Sequence, residues 1–413
     1  MATPPLQTQT PKGALGGAAE RPAALDASAV QRLVDQASYF NLFSVPVSPH
    51  RGTAMHGRGS IVGVNVEEAL HRFCVTTQPA SATAPLRGSN LLGERLGSFR
   101  HRWLMIPDGF VASPGQAPPP TELTPSRPQR FVMLDSICTF GDGTDGFRGF
   151  GTGRTLPTER NGRRELLVTA VGTILDGFGR FKGHQGTYVY CGVLDPDKGF
   201  RGNLMLRVMD PQAILHAEEP LSMAERQSGL DAGITYIVFR GEAIPSDAVS
   251  PNIGPDGNPI GLIVQQGLKL HHLDSAVQGR LGVRASDRVG QTIGRITAYV
   301  TFNPASASGT PLEPVPFTAY DEFVFFDREG GAIGGFTADS SEGRVFNVTL
   351  AGQPAIRFGG VGGIREGRGA FTGIEGLMTD NSVVVFSPHV SASIYVLRIN
   401  DPIGRFRSTL ENV

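Results

Sequence analysis

Two acidic and two basic residues recur at matched places in this 413-residue chain and could steer charge in a reaction. Asp135 and Asp321 interrupt the apolar stretches "FVMLDSICTF" and "FTAYDEFVFF", and Arg207 and Arg398 precede Asp-Pro in "LRVMDP" and "LRINDP". Buried charges are normally paired, so a structural Asp to Arg ion pair in each half competes with a substrate-steering role. Tyr236, Tyr320 and Tyr395 could donate to a developing oxyanion, although strand tyrosines also serve as plain core or interface residues. His271 and His272 are the one close histidine pair. Adjacent residues point apart, and with no second ligand cluster no metal is expected. Cys138 and Cys191 lie in apolar sequence and read as inert core thiols.

The Gly-rich stretches "GRFKGHQG" (179–186) and "GAFTGIEG" (369–376) share one skeleton and invite a phosphate-loop reading. A nucleotide fingerprint requires a strand, the loop and then a helix, whereas the first copy runs into "TYVYCGVL", a strand sequence. The reading that survives is a tight hairpin whose glycines permit close backbone approach while the aromatic fills the gap. No nucleotide or other cofactor is expected.

The elements that must position these residues are mostly strands. Gly 54 and Pro 30 with only 18% charged residues favour many short strands and turns over solvated helices. A net charge of -1 without runs of one sign gives no electrostatic reason to bind nucleic acid or an anionic membrane. No apolar run reaches the roughly 20 residues of a spanning helix, and the opening residues lack a signal-peptide core. Three scattered cysteines suit a reducing compartment, so a cytoplasmic location follows, with a homo-oligomer left open.

Residues 1–56 read as a disordered tail and a docking helix over "DASAVQRLVDQASYFNLF", with Asp26 or Ser28 as N-cap. A first β-barrel domain follows over 57–211, a helical linker over 212–232, a second barrel over 233–405 and a tail over 406–413. The halves match in order: "FCVTTQP" with "FRGEAIP", "SNLLGERLGSFRHRWLMIP" with "SDRVGQTIGRITAYVTFNP", and Gly149-Phe150 with Gly335-Phe336. Such a repeat marks a duplication. Several strands are apolar on both faces, as in a barrel with an apolar lumen and a covered outer face. The fold class is therefore all-β: two tandem antiparallel barrels of about eight strands, packed as an intrachain pseudo-dimer.

In the second half, "DRVGQTIGRITAYVTFNP", "FTAYDEFVFFDREGGAIGGF", "IRFGGVGGIREGRGAFTGIEGLM" and "SPHVSASIYVLRINDP" resemble allene oxide cyclase, the barrel related to dirigent proteins. The resemblance covers most of 285–402 and, more weakly, 89–211. It implies a lumen that confines a hydrophobic, pre-activated small-molecule substrate for ring closure, chiefly by proximity and orientation. The family's first-strand glutamate falls near Glu242 and its proline near Pro245, with Thr76 at the matching place in the first half. Its pocket phenylalanine corresponds to Phe317 and Phe131. Its tyrosine is replaced by Phe336 and Phe150, and its pocket cysteine by Ile296 and Phe99. On this reading Glu242, Tyr236 and Asp321 are the catalytic candidates, and Phe317, Phe336, Phe323, Ile296, Pro245 and Arg398 surround the substrate. Glu242 reads equally well as a solvated strand-edge carboxylate. A cyclase or isomerase therefore stands beside a dirigent-like binding protein and a scaffold with filled barrels.

Overall fold

The computed structural model describes residues 26–47, 53–57, 59–79, 86–88, 91–107, 121–160, 163–195, 199–217, 221, 233–244, 249–302, 309, 314–350, 353–386 and 389–407. Pro245 and most of the linker lie outside them. One α-helix, α1 (Ala27–Asp35), precedes strands β1 (Ala37–Pro46), β2 (Thr53–Gly57), β3 (Ser60–Thr76), β4 (Leu91–Ile106), β5 (Gln129–Phe140), β6 (Asp145–Arg160), β7 (Arg163–Phe178), β8 (Gly186–Asp195) and β9 (Gly199–Met209). The chain continues through β10 (Ile234–Ala243), β11 (Val249–Ile253), β12 (Pro259–Val277), β13 (Val283–Phe302), β14 (Val315–Phe326), β15 (Ala332–Leu350), β16 (Gln353–Gly369), β17 (Gly376–Phe386) and β18 (His389–Asn400). No helix among the described residues is long and apolar enough to cross a membrane.

The N-terminal helix is shorter than its sequence suggests. Asp26 caps it by accepting from the Ala29 N–H at 2.6 Å, but "ASYFNLFSVP" is strand β1, paired with both β9 and β3. Alternate β1 side chains face two different cores. Phe40 and Leu42 enter the first barrel, while Tyr39 and Phe43 pack with Tyr236, Val238 and Val396 of the second half. A strand buried on both faces shows no period of two, so its apolar run passed for helix. The expected linker helix is also corrected where it is described. After Asp210 the chain turns, and His216 bridges Ala285.

β1, β3 and β4 to β9 close into an eight-stranded antiparallel barrel, each strand hydrogen-bonded to the next and β9 returning to β1. The pairings of β10, β12 and β13 to β18 follow the same order. The registers correct parts of the repeat as read in the sequence. Tyr39 opposes Arg207 as Tyr236 opposes Arg398, so Val45, not Thr76, is the counterpart of Glu242. Phe147, not Phe150, matches Phe336: they oppose Cys138 and Phe323. The preceding glycines agree, since a Cβ on Gly146 or Gly335 would lie 2.0 or 1.9 Å from the carbonyl oxygen of Cys138 or Phe323.

The repeated Gly-rich segments adopt one conformation. Gly179 and Gly369 take φ of 59° and 61°, a left-handed geometry that favours glycine. The aromatic of each motif closes an end of its core. Phe181 stacks on Phe140 at 5.3 Å and Phe371 on Phe325 at 4.7 Å. The Asp-Pro carboxylates repeat as well: Asp210 accepts from the Leu215 N–H at 2.7 Å and Asp401 from the Phe406 N–H at 2.9 Å, each tying down the segment that leaves its last strand.

β3 and β12 join the halves through Val75 opposite Leu273 and Thr76 opposite His272. Counting from the pairs Phe43–His71 and Arg240–Lys269 makes Val75 and Leu273 counterparts, so equivalent residues meet each other.

Candidate functional site

A cavity of about 960 Å³ lies among described residues of the first half. Its walls include Ile61, Val66, Trp103, Leu166, Leu194 and Phe200. Alternation along β3 sends Glu68 inward beside Leu70, and alternation along β4 does the same for Phe99, His101 and Trp103. Glu68 and His101 both line the cavity.

Glu68 is fully buried. The Tyr190 hydroxyl donates to its Oε1 at 2.9 Å, and His101 Nε2 lies 3.3 Å from Oε2. The Trp103 indole N–H donates to His101 Nδ1 at 2.6 Å. An indole nitrogen can only donate, so Nδ1 accepts and the imidazole proton resides on Nε2, directed at Glu68. Burial first, and then the Glu68 carboxylate, push the Tyr190 phenol well above its ordinary value, which keeps it a neutral donor. The ring of His101 stacks on Phe99 at 4.5 Å. The result is an oriented carboxylate at the cavity wall, able to take a proton or to stabilise positive charge as it develops.

The second half is built differently. Phe323 stacks on Phe336 at 4.7 Å, and Phe336 meets Phe371 at 5.8 Å. Phe317 packs edge-on to Phe358 at 5.5 Å. With Ile296 these rings form one continuous core. The expected lining residues Phe317, Phe336, Phe323 and Ile296 therefore come together, but as packing. Tyr236 is buried at the contact between halves, edge-on to Phe73 at 4.8 Å. Arg398 is half-buried on β18.

Glu242 is half-buried and ion-paired with Lys269 and, at 3.0 Å, with Arg240. It does not line the 960 Å³ cavity. In the first half the expected Asp to Arg pair is replaced by other contacts. Asp135 sits at positive φ on a bulge and bonds exposed Arg102 at 2.5 Å, while Arg207 donates to the Val34 carbonyl. Asp321 is buried, and its carboxyl lies well above the ordinary range through burial, then through Asp380 and Asp339. Asp380 rises to about 7, again chiefly by burial.

Cys74, His272 and Asp274 could offer metal ligands at the β3–β12 seam, their donor atoms lying within 4.8 Å of one another. Arg72 already holds both Asp274 oxygens, at 2.9 and 2.6 Å. Burial, then Asp274, push the Cys74 thiol up to about 12, which disfavours the thiolate a metal needs. Burial draws the His272 imidazole down to about 4.

Comparisons with protein-family models, with curated proteins and with solved structures find no match for this chain.

Sequence reading missed Glu68, His101 and Tyr190. "NVEEALHRF" carries adjacent glutamates that look like a solvated face, and the inward one is revealed only by the β3 register. The usable signal was alternation: Glu68 shares its face with Val66 and Leu70.

Proposed function

We propose that the protein is a cofactor-independent cyclase or isomerase that confines a hydrophobic, pre-activated intermediate and directs its ring closure. One observation carries this reading: a fully buried carboxylate, Glu68, held by Tyr190 and His101 on the wall of a cavity of about 960 Å³. Burying a carboxylate costs several kcal/mol unless it is well paired, and a mostly apolar cleft with a few convergent polar groups is the usual form of a small-molecule site. The volume suits a drug-sized ligand. The apolar wall fixes the substrate's conformation, and the two donors hold Glu68 in place as it accepts a proton or faces a developing cation. The motifs that resemble allene oxide cyclase support a mould of this kind, as does the ordered repeat, read as the duplication of one barrel. The repeated pairing order and the contact of Val75 with Leu273 favour two barrels meeting about a local two-fold. In that duplication the cavity of about 960 Å³ belongs to the first copy, while the rings of the second pack into one core.

The alternative is a dirigent-like or hydrophobic-ligand carrier. It is favoured by the hydrogen bonds on both Glu68 oxygens, which a purely structural carboxylate would also make.

Ring closure by isomerisation leaves elemental composition unchanged. Incubation with hydrophobic metabolite fractions should therefore deplete one species and generate another of identical exact mass and different retention time. The Glu68→Gln protein should fail to do so. Binding without such conversion would establish the carrier.

A further inference from the structure

Beneath the C-terminal end of α1, four buried side chains present hydrogen-bond donors without a well-aligned acceptor. Arg207 on β9 is 0% exposed and Arg357 on β16 is 2% exposed, with Tyr39 on β1 and Asn381 on β17 fully buried. Arg207 Nη2 reaches the Val34 carbonyl at 3.3 Å. Its Nε and Nη1, the Nε and Nη2 of Arg357, the Tyr39 hydroxyl and Asn381 Nδ2 make no well-aligned hydrogen bond, although the Tyr39 hydroxyl lies beside the Arg207 guanidinium.

These groups belong to one region. Tyr39 and Arg207 are direct cross-strand partners, the guanidinium carbon lying 5.6 Å from the ring centre. Arg207 opposes Thr187, whose hydroxyl donates to Asn381 Oδ1 at 2.8 Å and leaves the amide nitrogen over. Asn381 stands two residues along β17 from Val383, the partner of Arg357. Donors from both halves of the chain thus gather at their seam, under Val30 and Val34 of the helix, which pack on Val383, Val385 and Ala392.

Among the described residues no carboxylate is bonded to either guanidinium, although Asp35 and Asp380 lie near enough to act on Arg207. Both carboxylates are engaged elsewhere: Asp35 with Arg240, and Asp380 with Ser382. Burial and then Arg207 pull Arg357 down, yet only to about 9, so it stays charged near neutrality. Two buried, unpaired guanidiniums are strongly unfavourable unless a charge joins them.

We propose that this seam binds a small inorganic anion of the size and charge of chloride, held by Arg207, Arg357, the Tyr39 hydroxyl and the Asn381 amide, and linking the two halves. Enclosure of all four donors suits a monatomic ion over an organic acid.

The test is thermal and denaturant unfolding of the intact chain at constant ionic strength, with potassium gluconate replaced stepwise by potassium chloride. Above the dissociation constant, the folded-to-unfolded ratio should rise about tenfold per tenfold increase in free anion. Arg357→Met should flatten that dependence. Crystals of the unmodified protein grown in bromide should show an anomalous peak among Arg207, Arg357, Tyr39 and Asn381, a readout independent of whether the variant folds. Indifference to chloride together with no bromide peak would overturn the proposal. So would stabilisation by sulfate and not by halides, which would assign a larger oxyanion.

Discussion

The indole of Trp103 donates to Nδ1 of His101 at 2.6 Å, which leaves the Nε2 proton of that ring for Glu68. Nitrogen NMR of labelled histidine at neutral pH should show His101 with a bare Nδ1 and a protonated Nε2. Trp103→Phe removes the donor and a filled volume. It should cost about 1–3 kcal/mol of stability and release the tautomer. A Nδ1-protonated ring in the unmodified protein would contradict the arrangement.

Phe371 is fully buried against Phe325 and Phe336, closing the core of the second half as Phe181 closes the first. Phe371→Ala should destabilise the fold by about 3–5 kcal/mol, the usual range for removing a buried ring. Chemical denaturation checks this. A loss below about 1 kcal/mol would mean that the turn does not plug the core.

Asp380 binds its proton more tightly folded, with a pKa of about 7, than at the ordinary value of 3.8. Stability from the protonated form is fully present below pH 3.8 and is lost as pH rises through 7. Asp380→Asn removes that loss, so its stability relative to the parent should improve between pH 5 and pH 8. Each pKa unit corresponds to about 1.4 kcal/mol, but the side chain is half-buried, and screening by water should leave about 1–2 kcal/mol. Comparison with the parent at each pH cancels the opposite trend from His272, whose lowered pKa costs stability as pH falls from 6.5 towards 4. Parallel pH profiles for the two proteins would refute the assignment.

Much of the fold was legible because it repeats. The paired Gly-aromatic turns and the paired Asp-Pro strand ends announce themselves in sequence, and both recur with matching geometry. The register was not legible. β1 is apolar on both faces, so "SYFNLF" passed for helix, and the comparison of Glu242 slid onto Thr76 instead of Val45. Bulges at Met133–Ser136 and near His71 shift the alternation locally, which hid the exposure of Asp135. The site was missed because a charged residue such as Glu68 becomes informative only when its strand face is known. Phe317 and Phe336 pack with Phe323 and Ile296 in the core of the second half; how much space such rings leave is a property of volume, which no motif records.

Cys74, His272 and Asp274 form a ligand triplet, but Arg72 occupies Asp274 and the thiol is held protonated. Exhaustive chelation should therefore leave the melting temperature and ligand binding unchanged, and added zinc should not raise stability. Loss of binding that zinc restores would place a metal at the seam.

The most direct measurement compares the rate of the mass-conserving conversion in the parent, Glu68→Gln and Glu242→Gln proteins. A working carboxylate at the first-half cavity predicts a loss of about 10²- to 10⁴-fold for Glu68→Gln with folding retained. Glu242→Gln, altered only in its ion pairs with Arg240 and Lys269, should turn over within a few fold of the parent. Parent-like turnover by Glu68→Gln, or a larger loss in Glu242→Gln, would contradict the assignment.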